Sequence, residues 1–271
     1  MNKRNYMVGL GLISLLTTSC AGTNFDNTRL VVGLEADYAP FNWTAVAPND
    51  YTLPLAGING QYADGYDVQV AKYLGEELGV PVTIKKIAWT SLIPAIKAND
   101  INVIIAGMSY TSDRDNEVDF TNAYYISDLV AVVRSDSALV TATSIQDLGG
   151  YKVVSQIGTI QDGVIDQINN VDHLPGAESF QVGALSVSIG DADALIAEYP
   201  VARQIVHADE NLAIVEFSVG FTGFDENELS VSVAVQEGNT ELVTLINAAL
   251  ADLTQETRVS WMDLAIERSV A

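Results

Sequence analysis

The chain has one cysteine in 271 residues, two histidines, 13 basic residues against 35 acidic ones, and no apolar run long enough to cross a bilayer. With Cys20 alone, no internal disulfide forms. His173 and His207 stand in no spacing that resembles a metal site or a catalytic pair, so neither metal nor cofactor is expected. The acidic excess, a net −22, argues against nucleic acid or an anionic surface as partner. It is compatible with a plain solvated surface and with a mild attraction for cationic ligands. The apolar run Val8 to Leu16 falls well short of the roughly 20 residues that a spanning helix needs, and nothing later is longer.

What is present begins at the N-terminus. Lys3 and Arg4 precede that run, and Thr17, Thr18 and Ser19 lead into Cys20, which is the layout of a secretory signal over residues 1–19. Removing it takes away two of the 13 basic residues and no acidic one, which leaves −24. The small residues before Cys20 resemble the lipobox of a bacterial lipoprotein, except that the leucine stands four places ahead, as Leu16, where three is usual. Lipidation of Cys20, with residues 20–27 as a linker, competes with cleavage nearby that leaves a free thiol. Acyl chains would anchor firmly, each buried methylene adding about 0.8 kcal/mol.

From Arg29 on, short apolar runs alternate with amphipathic stretches, the pattern of an α/β fold with parallel sheets. Leu30 to Leu34, Val82 to Ile87, Asn102 to Ala106, Lys152 to Ile157, Ala194 to Ala197 and Leu229 to Val235 read as strands, and Tyr124 to Arg134 as a longer extended stretch. Asp67 reads as the cap of a helix whose Val68, Ala71, Leu74 and Leu78 share a face, and Gly79 ends it. Ser91 to Ala98 predicts a short helix with Pro94 in its first turn. Further helices are expected through Val164, Ile165 and Ile168 and over Glu241 to Thr254.

Three motifs carry chemistry. In AGMSYTSDR, Ala106 to Arg114, a buried strand leaves through Gly107 into a helix capped by Thr111, which places Arg114 in the first turn. A cation there opposes the helix dipole unless an anion is held nearby, and its fork with the adjacent free amides suits a carboxylate. Surface pairing with Asp113, Asp115 or Asp119 is the equal alternative. QIGTIQDG, Gln156 to Gly163, repeats the layout, with Thr159 and Ile160 at a second anion-accepting helix start. In GDADALIAEYPVA, Gly190 to Ala202, a strand ends at Glu198. Ligands of open parallel sheets sit at that end, where a carboxylate suits an ammonium group, although a solvent-facing strand end is the simpler reading of Glu198 alone. Together the three describe a clamp for the zwitterionic end of an α-amino acid.

The order and spacing of these motifs, with VGLEADYAPF, GYDVQVAKYLGEEL, SLIPAIKANDINVIIAGMSYTSDR and VDFTNAYY, resemble the bacterial extracellular solute-binding proteins of family 3, the polar amino-acid partners of ABC transporters. The likeness runs over nearly the whole mature chain. It implies a two-lobed, type II periplasmic-binding-protein-like fold, each lobe a mainly parallel sheet flanked by helices. Lobe 1 would comprise 28–129 plus 230–271 and lobe 2 130–229, joined by two crossover strands. It implies that Gly107, Ser109 and Arg114 hold the ligand carboxylate, that Thr159 and Ile160 complete that site, and that Glu198 receives the α-ammonium. It further implies that Tyr38 and Tyr66 sandwich the side chain, with Trp89 a further pocket candidate and Glu35 at a polar or cationic side-chain end. Simple core or rim packing is the alternative for the three aromatics. Asn102 departs from the usual Asp, and Trp43 to Ala63 is longer than in compact members.

The expected function is hinge closure around a free amino acid, arginine or lysine favoured over glutamine or histidine, and presentation to a membrane permease. The expected protein is a monomer outside the cytoplasmic membrane that catalyses nothing. A periplasmic dehydratase on the same fold, with Glu198 or His173 as acid or base, and a ligand sensor are the competing classes.

Overall fold

The computed structural model describes residues 28–223 and 229–270. The signal segment, the linker and Cys20 lie outside the described residues. Two five-stranded sheets carry the fold. The first runs in the order Val82–Lys86, Leu30–Leu34, Val103–Ile104, Ser230–Gln236, Val118–Ile126. The second runs Asp172–His173, Lys152–Val154, Ala194–Glu198, Leu129–Arg134, Leu212–Val215. In each, three strands are parallel and the remaining two pair antiparallel. The fold is thus a pair of mixed α/β sheets flanked by helices.

The strands are read well from the sequence where both faces are covered. Ala194–Glu198 is buried at every position, and such a strand needs no polar alternation. The extended stretch expected from Tyr124 to Arg134 is two strands: Val118–Ile126 ends the first sheet and Leu129–Arg134 enters the second. Between them Ser127 N–H donates to the carbonyl of Leu229 at 3.2 Å. The outgoing and returning connections are therefore bonded to one another where the chain passes between sheets.

Two helical expectations change. The helix Tyr66–Leu78 ends at Gly79 in the left-handed conformation, as expected, but its N-cap is Gly65 and Asp67 makes no cap bond. The stretch through Val164 to Ile168 is one turn of α-helix, Ile160–Gly163, followed by a 3₁₀ turn, Ile165–Gln167. Helices Phe180–Ile189, Tyr199–Ala208 and Gln255–Arg268 complete the cover. The long segment from Trp43 to Ala63 builds a separate four-stranded antiparallel sheet with Asp37–Tyr38. The C-terminal helix pins this sheet: Arg268 pairs with Asp64 at 2.8 Å and lies 3.9 Å over the Tyr51 ring.

Candidate functional site

Strand Val103–Ile104 runs out through Gly107, whose φ of +61° only glycine adopts without strain. A Cβ here would stand 2.5 Å from Tyr38 Cε1. A buried polar chain holds this turn. Gly107 N–H donates to the Tyr124 hydroxyl at 2.9 Å, which donates to Asp67 at 2.6 Å. Asp67 also accepts from the Asn42 amide at 2.7 Å, and Asn42 Oδ1 accepts from Ala36 N–H at 2.7 Å. Asp67 thus joins the ends of two neighbouring strands. Burial raises its carboxyl to about 6 against the pull of those donors. Gly107→Ala is expected to cost about 2 kcal/mol, which for a chain of this size lowers the Tm by roughly 4–8 °C. Thermal unfolding checks it, and a Tm unchanged within a degree contradicts the close fit.

Thr111 caps the short helix Ser112–Asp115, its hydroxyl accepting from Arg114 N–H at 3.1 Å. The Arg114 guanidinium turns away from its acidic neighbours. It donates to the carbonyls of Ser109 at 2.7 Å and Gly158 at 3.1 Å, and lies 5.2 Å over the Trp89 ring. Among the described residues it forms no ion pair with Asp113, Asp115 or Asp119, so the surface-pairing alternative fails. Burial lowers it to about 10, with Glu198 opposing.

From the second sheet, Lys152–Val154 leads through Gln156 to Gly158, which is left-handed at φ +73°. The Thr159 hydroxyl then accepts from Asp162 N–H at 3.2 Å and donates to the carbonyl of Gln156 at 2.7 Å. Glu198 ends its strand with 6 % exposure, and among the described residues its Oε2 has no hydrogen-bond partner. Burial raises its carboxyl to about 7, held down in part by the Tyr38 hydroxyl, the Gln161 side chain and Arg114.

These groups converge on a narrow crevice between the two sheets, lined by Tyr38, Trp89, Gly107, Ser109, Arg114, Gln156, Thr159, Ile160, Gln161, Phe180 and Glu198. Eight of the ten residues singled out in the sequence line it. Two do not. Tyr66 is fully buried, stacked on Tyr124 with centroids 5.9 Å apart, and its hydroxyl donates to the carbonyl of Tyr124 at 2.8 Å. It belongs to the core. Tyr38 does reach the space, but its ring is packed between Phe41, at 5.0 Å, and Phe180, at 5.1 Å. Glu35 is buried behind the wall, its carboxylate accepting from Gln156 Nε2 at 3.1 and 3.4 Å. Burial raises it to about 7. Trp89 lines the space, but Arg114 covers a face of its ring.

Gln156, Gln161 and Phe180 join the site without having been singled out. The two glutamines lie inside the QIGTIQDG motif. Phe180 begins a helix, FQVGALSVSI, whose apolar residues do not gather on one face, so it shows no period. A larger hollow, about 470 Å³, is lined by Asn122 to Ile126 and by Leu250, Ala251, Leu253, Gln255 and Arg258. Its one charged group, Arg258, is spent on the carbonyls of Leu253, Ala123 and Leu250.

Residues 30–262 match the family model described as bacterial extracellular solute-binding proteins, family 3. The chain is 30% identical to the putative ABC transporter arginine-binding protein 2 of Escherichia coli strain K12 over 223 residues, 82% of this chain and 84% of that one. It is 28% identical to the arginine-binding extracellular protein ArtP of Bacillus subtilis over 166 residues, 60% of this chain and 58% of that protein. The crystal structure of an amino-acid ABC transporter substrate-binding protein, AbpA, from Streptococcus pneumoniae bound to L-arginine superposes with a TM-score of 0.76. That match has 25% identity and covers 90% of this chain and 97% of that one.

Proposed function

Because the chain belongs to the bacterial extracellular solute-binding proteins of family 3, we propose that it is the extracytoplasmic substrate-binding component of an amino-acid ABC importer, with arginine or lysine as its ligand. One observation carries the clamp. A guanidinium without a carboxylate partner and a buried carboxylate with an unpartnered oxygen face one space from opposite sheets. A zwitterion supplies the missing partner of each. The α-carboxylate accepts from Arg114 with Ser109, Thr159 and Ile160 at its sides, and the α-ammonium donates to Glu198.

Residues 28–129 plus 230–271 and residues 130–229 are taken as the two lobes that hinge about the paired connections at Ser127 and Leu229. Closure is favoured by ligand only through contacts better made when closed, and groups drawn from both sheets meet that condition. Arginine is favoured because relatives are named for it and because a buried carboxylate, Glu35, stands behind Gln156 at the pocket wall. Presentation to a permease, lipidation at Cys20 and a monomeric state complete the reading. Binding is preferred to dehydration because the two charged groups complement an unreacted amino acid, while His173 lies outside the pocket between Asp162 and Asp166. Turnover of arogenate or prephenate would reverse that preference.

Thermal unfolding of the purified chain, refolded to strip carried-over ligand, against the twenty amino acids tests the proposal. At a thousand times Kd a ligand stabilises by about 4 kcal/mol, roughly 8–16 °C here. Arginine or lysine is expected to give the largest shift. No shift from any amino acid would refute the proposal, and a dominant shift from glutamine would keep the clamp but remove the cationic assignment.

A further inference from the structure

We propose that Arg203 and Asp263 form a strap between the two lobes, outside the crevice, which favours the closed form and so strengthens amino-acid binding without touching the ligand. Both are positioning residues. The inference rests on the amino-acid-binding reading above and adds to it a contribution to affinity from beyond the pocket.

The two residues stand on helices that serve different sheets. Arg203 lies in Tyr199–Ala208, which follows directly from the strand Ala194–Glu198 of the second sheet, and Asp263 lies in the C-terminal helix Gln255–Arg268. Arg203 Nη1 donates to Asp263 Oδ1 at 2.9 Å, and among the described residues neither has another ion-pair partner. The C-terminal helix is fastened to the first lobe on either side of Asp263. Arg258 donates to the carbonyl of Ala123 in the strand Val118–Ile126 at 3.0 Å, and Arg268 holds Asp64 at 2.8 Å. Asp263 is midway between these two anchors, so it is presented from a fixed support.

The helix that carries Arg203 is a lever on the pocket. Its N-cap residue is Glu198, the carboxylate assigned to the α-ammonium. Its first N–H, that of Tyr199, donates to the carbonyl of Asp128 at 3.0 Å and to the Ser127 hydroxyl at 3.2 Å, at the connection about which the lobes hinge. Arg203 follows Glu198 by five residues, about 7 Å along the helix axis. Opening carries this helix with its own sheet, which parts Arg203 from Asp263 and withdraws Glu198 from the crevice. The pair is half-exposed, at 41% and 48% of its side-chain surface, and such a pair supplies a factor of up to about five. Any contact made only in the closed form raises apparent affinity by the factor by which it raises the closed population.

The test is isothermal titration of the full chain with arginine, using Arg203→Asp, Asp263→Arg and the exchanged double variant, with thermal unfolding to confirm that each is folded. Each single reversal sets two like charges face to face and is expected to lower arginine affinity about three- to tenfold. The two reversals change the net charge in opposite directions, so a loss common to both cannot come from a general attraction for the cationic ligand. The exchanged pair is expected to bind within twofold of wild type. At about 1 M salt, where the screening length is about 3 Å, each single loss should shrink to less than half of its low-salt value, which damaged packing would not do. A single reversal that binds within twofold of wild type overturns the inference, as does an exchange that binds no tighter than the single variants or a loss that salt leaves unchanged. If a reversal fails to fold, Arg203→Gln and Asp263→Asn are judged instead. Each should cost about two- to fivefold and the two together no more than either alone, and additive losses overturn the inference. A wild-type chain that binds no amino acid would overturn the functional reading and, with it, this inference, whereas a wild type that binds arginine with no coupling between the two residues overturns the inference alone.

Discussion

Replacing Arg114 by methionine is expected to weaken arginine binding by between about thirtyfold and several thousandfold. Removing one partner of a buried, hydrogen-bonded charge pair costs about 2–5 kcal/mol, and each 1.4 kcal/mol is about tenfold. Methionine keeps an unbranched stem over Trp89 while removing the fork. Two of the fork's five donors go to the carbonyls of Ser109 and Gly158, one from each side of the space, and the rest remain for a planar carboxylate. Lysine does not restore binding, since a single ammonium cannot make the paired contact. The ligand-free variant should keep its Tm or gain slightly, because the guanidinium is desolvated and has no carboxylate partner of its own. Calorimetry with arginine, set beside a melting curve without it, separates a lost ligand contact from a damaged fold. Affinity within threefold of wild type would remove Arg114 from the site.

Acid is expected to release the ligand. Burial holds the Glu198 and Glu35 carboxyls at about 7 in the ligand-free protein, and an α-ammonium is received only by the ionised form of Glu198. Apparent arginine affinity should therefore fall about tenfold per pH unit below 7 if Glu198 alone governs it, and more steeply if Glu35 must ionise as well. From pH 8 to pH 5 that is about a hundredfold loss or more. Glu198→Gln should weaken binding at pH 8 at least tenfold and flatten the profile.

The ligand-free protein should show the opposite trend in stability. Both carboxyls lie above their usual value of 4.5, so between about 4.5 and 7 the folded chain binds more protons than the unfolded one. Its stability then rises as pH falls through that window and is lowest above 7. Asp67, raised to about 6, adds the same sign in the lower part of the window. Titrations at several pH values check the first trend and melting curves without ligand the second. An affinity that is flat from pH 5 to 8 contradicts the role assigned to Glu198.

The parts of the fold that were legible in the sequence are those set by local rules. Leu30–Leu34 and Ala194–Glu198 are apolar because both faces are covered, and the helix Tyr66–Leu78 shows its buried stripe and its left-handed Gly79. The turns at Gly107 and Gly158 were legible because a positive φ after a strand demands glycine. What was missed depends on partners far away in sequence. Asp67 has the position of a capping acid, and only Tyr124, 57 residues on, turns it inward as the brace of Gly107. Tyr66 is a core ring for the same reason. Gln156 meets Glu35 across 121 residues, a pairing no spacing announces. The helix Phe180–Ile189 gave no amphipathic period, so the ring that faces Tyr38 from it went unseen.

The most direct test of the clamp asks for both ends of the ligand separately. Isothermal titration of the purified chain with arginine, with agmatine, which lacks the α-carboxylate, and with Nα-acetylarginine, which lacks the α-ammonium, isolates Arg114 and Glu198 in turn. Arginine is predicted to saturate the site, and each analogue to bind at least a hundredfold more weakly. Agmatine or the acetylated form binding as tightly as arginine would contradict the account, because it would show that the zwitterionic end is not what the two sheets hold.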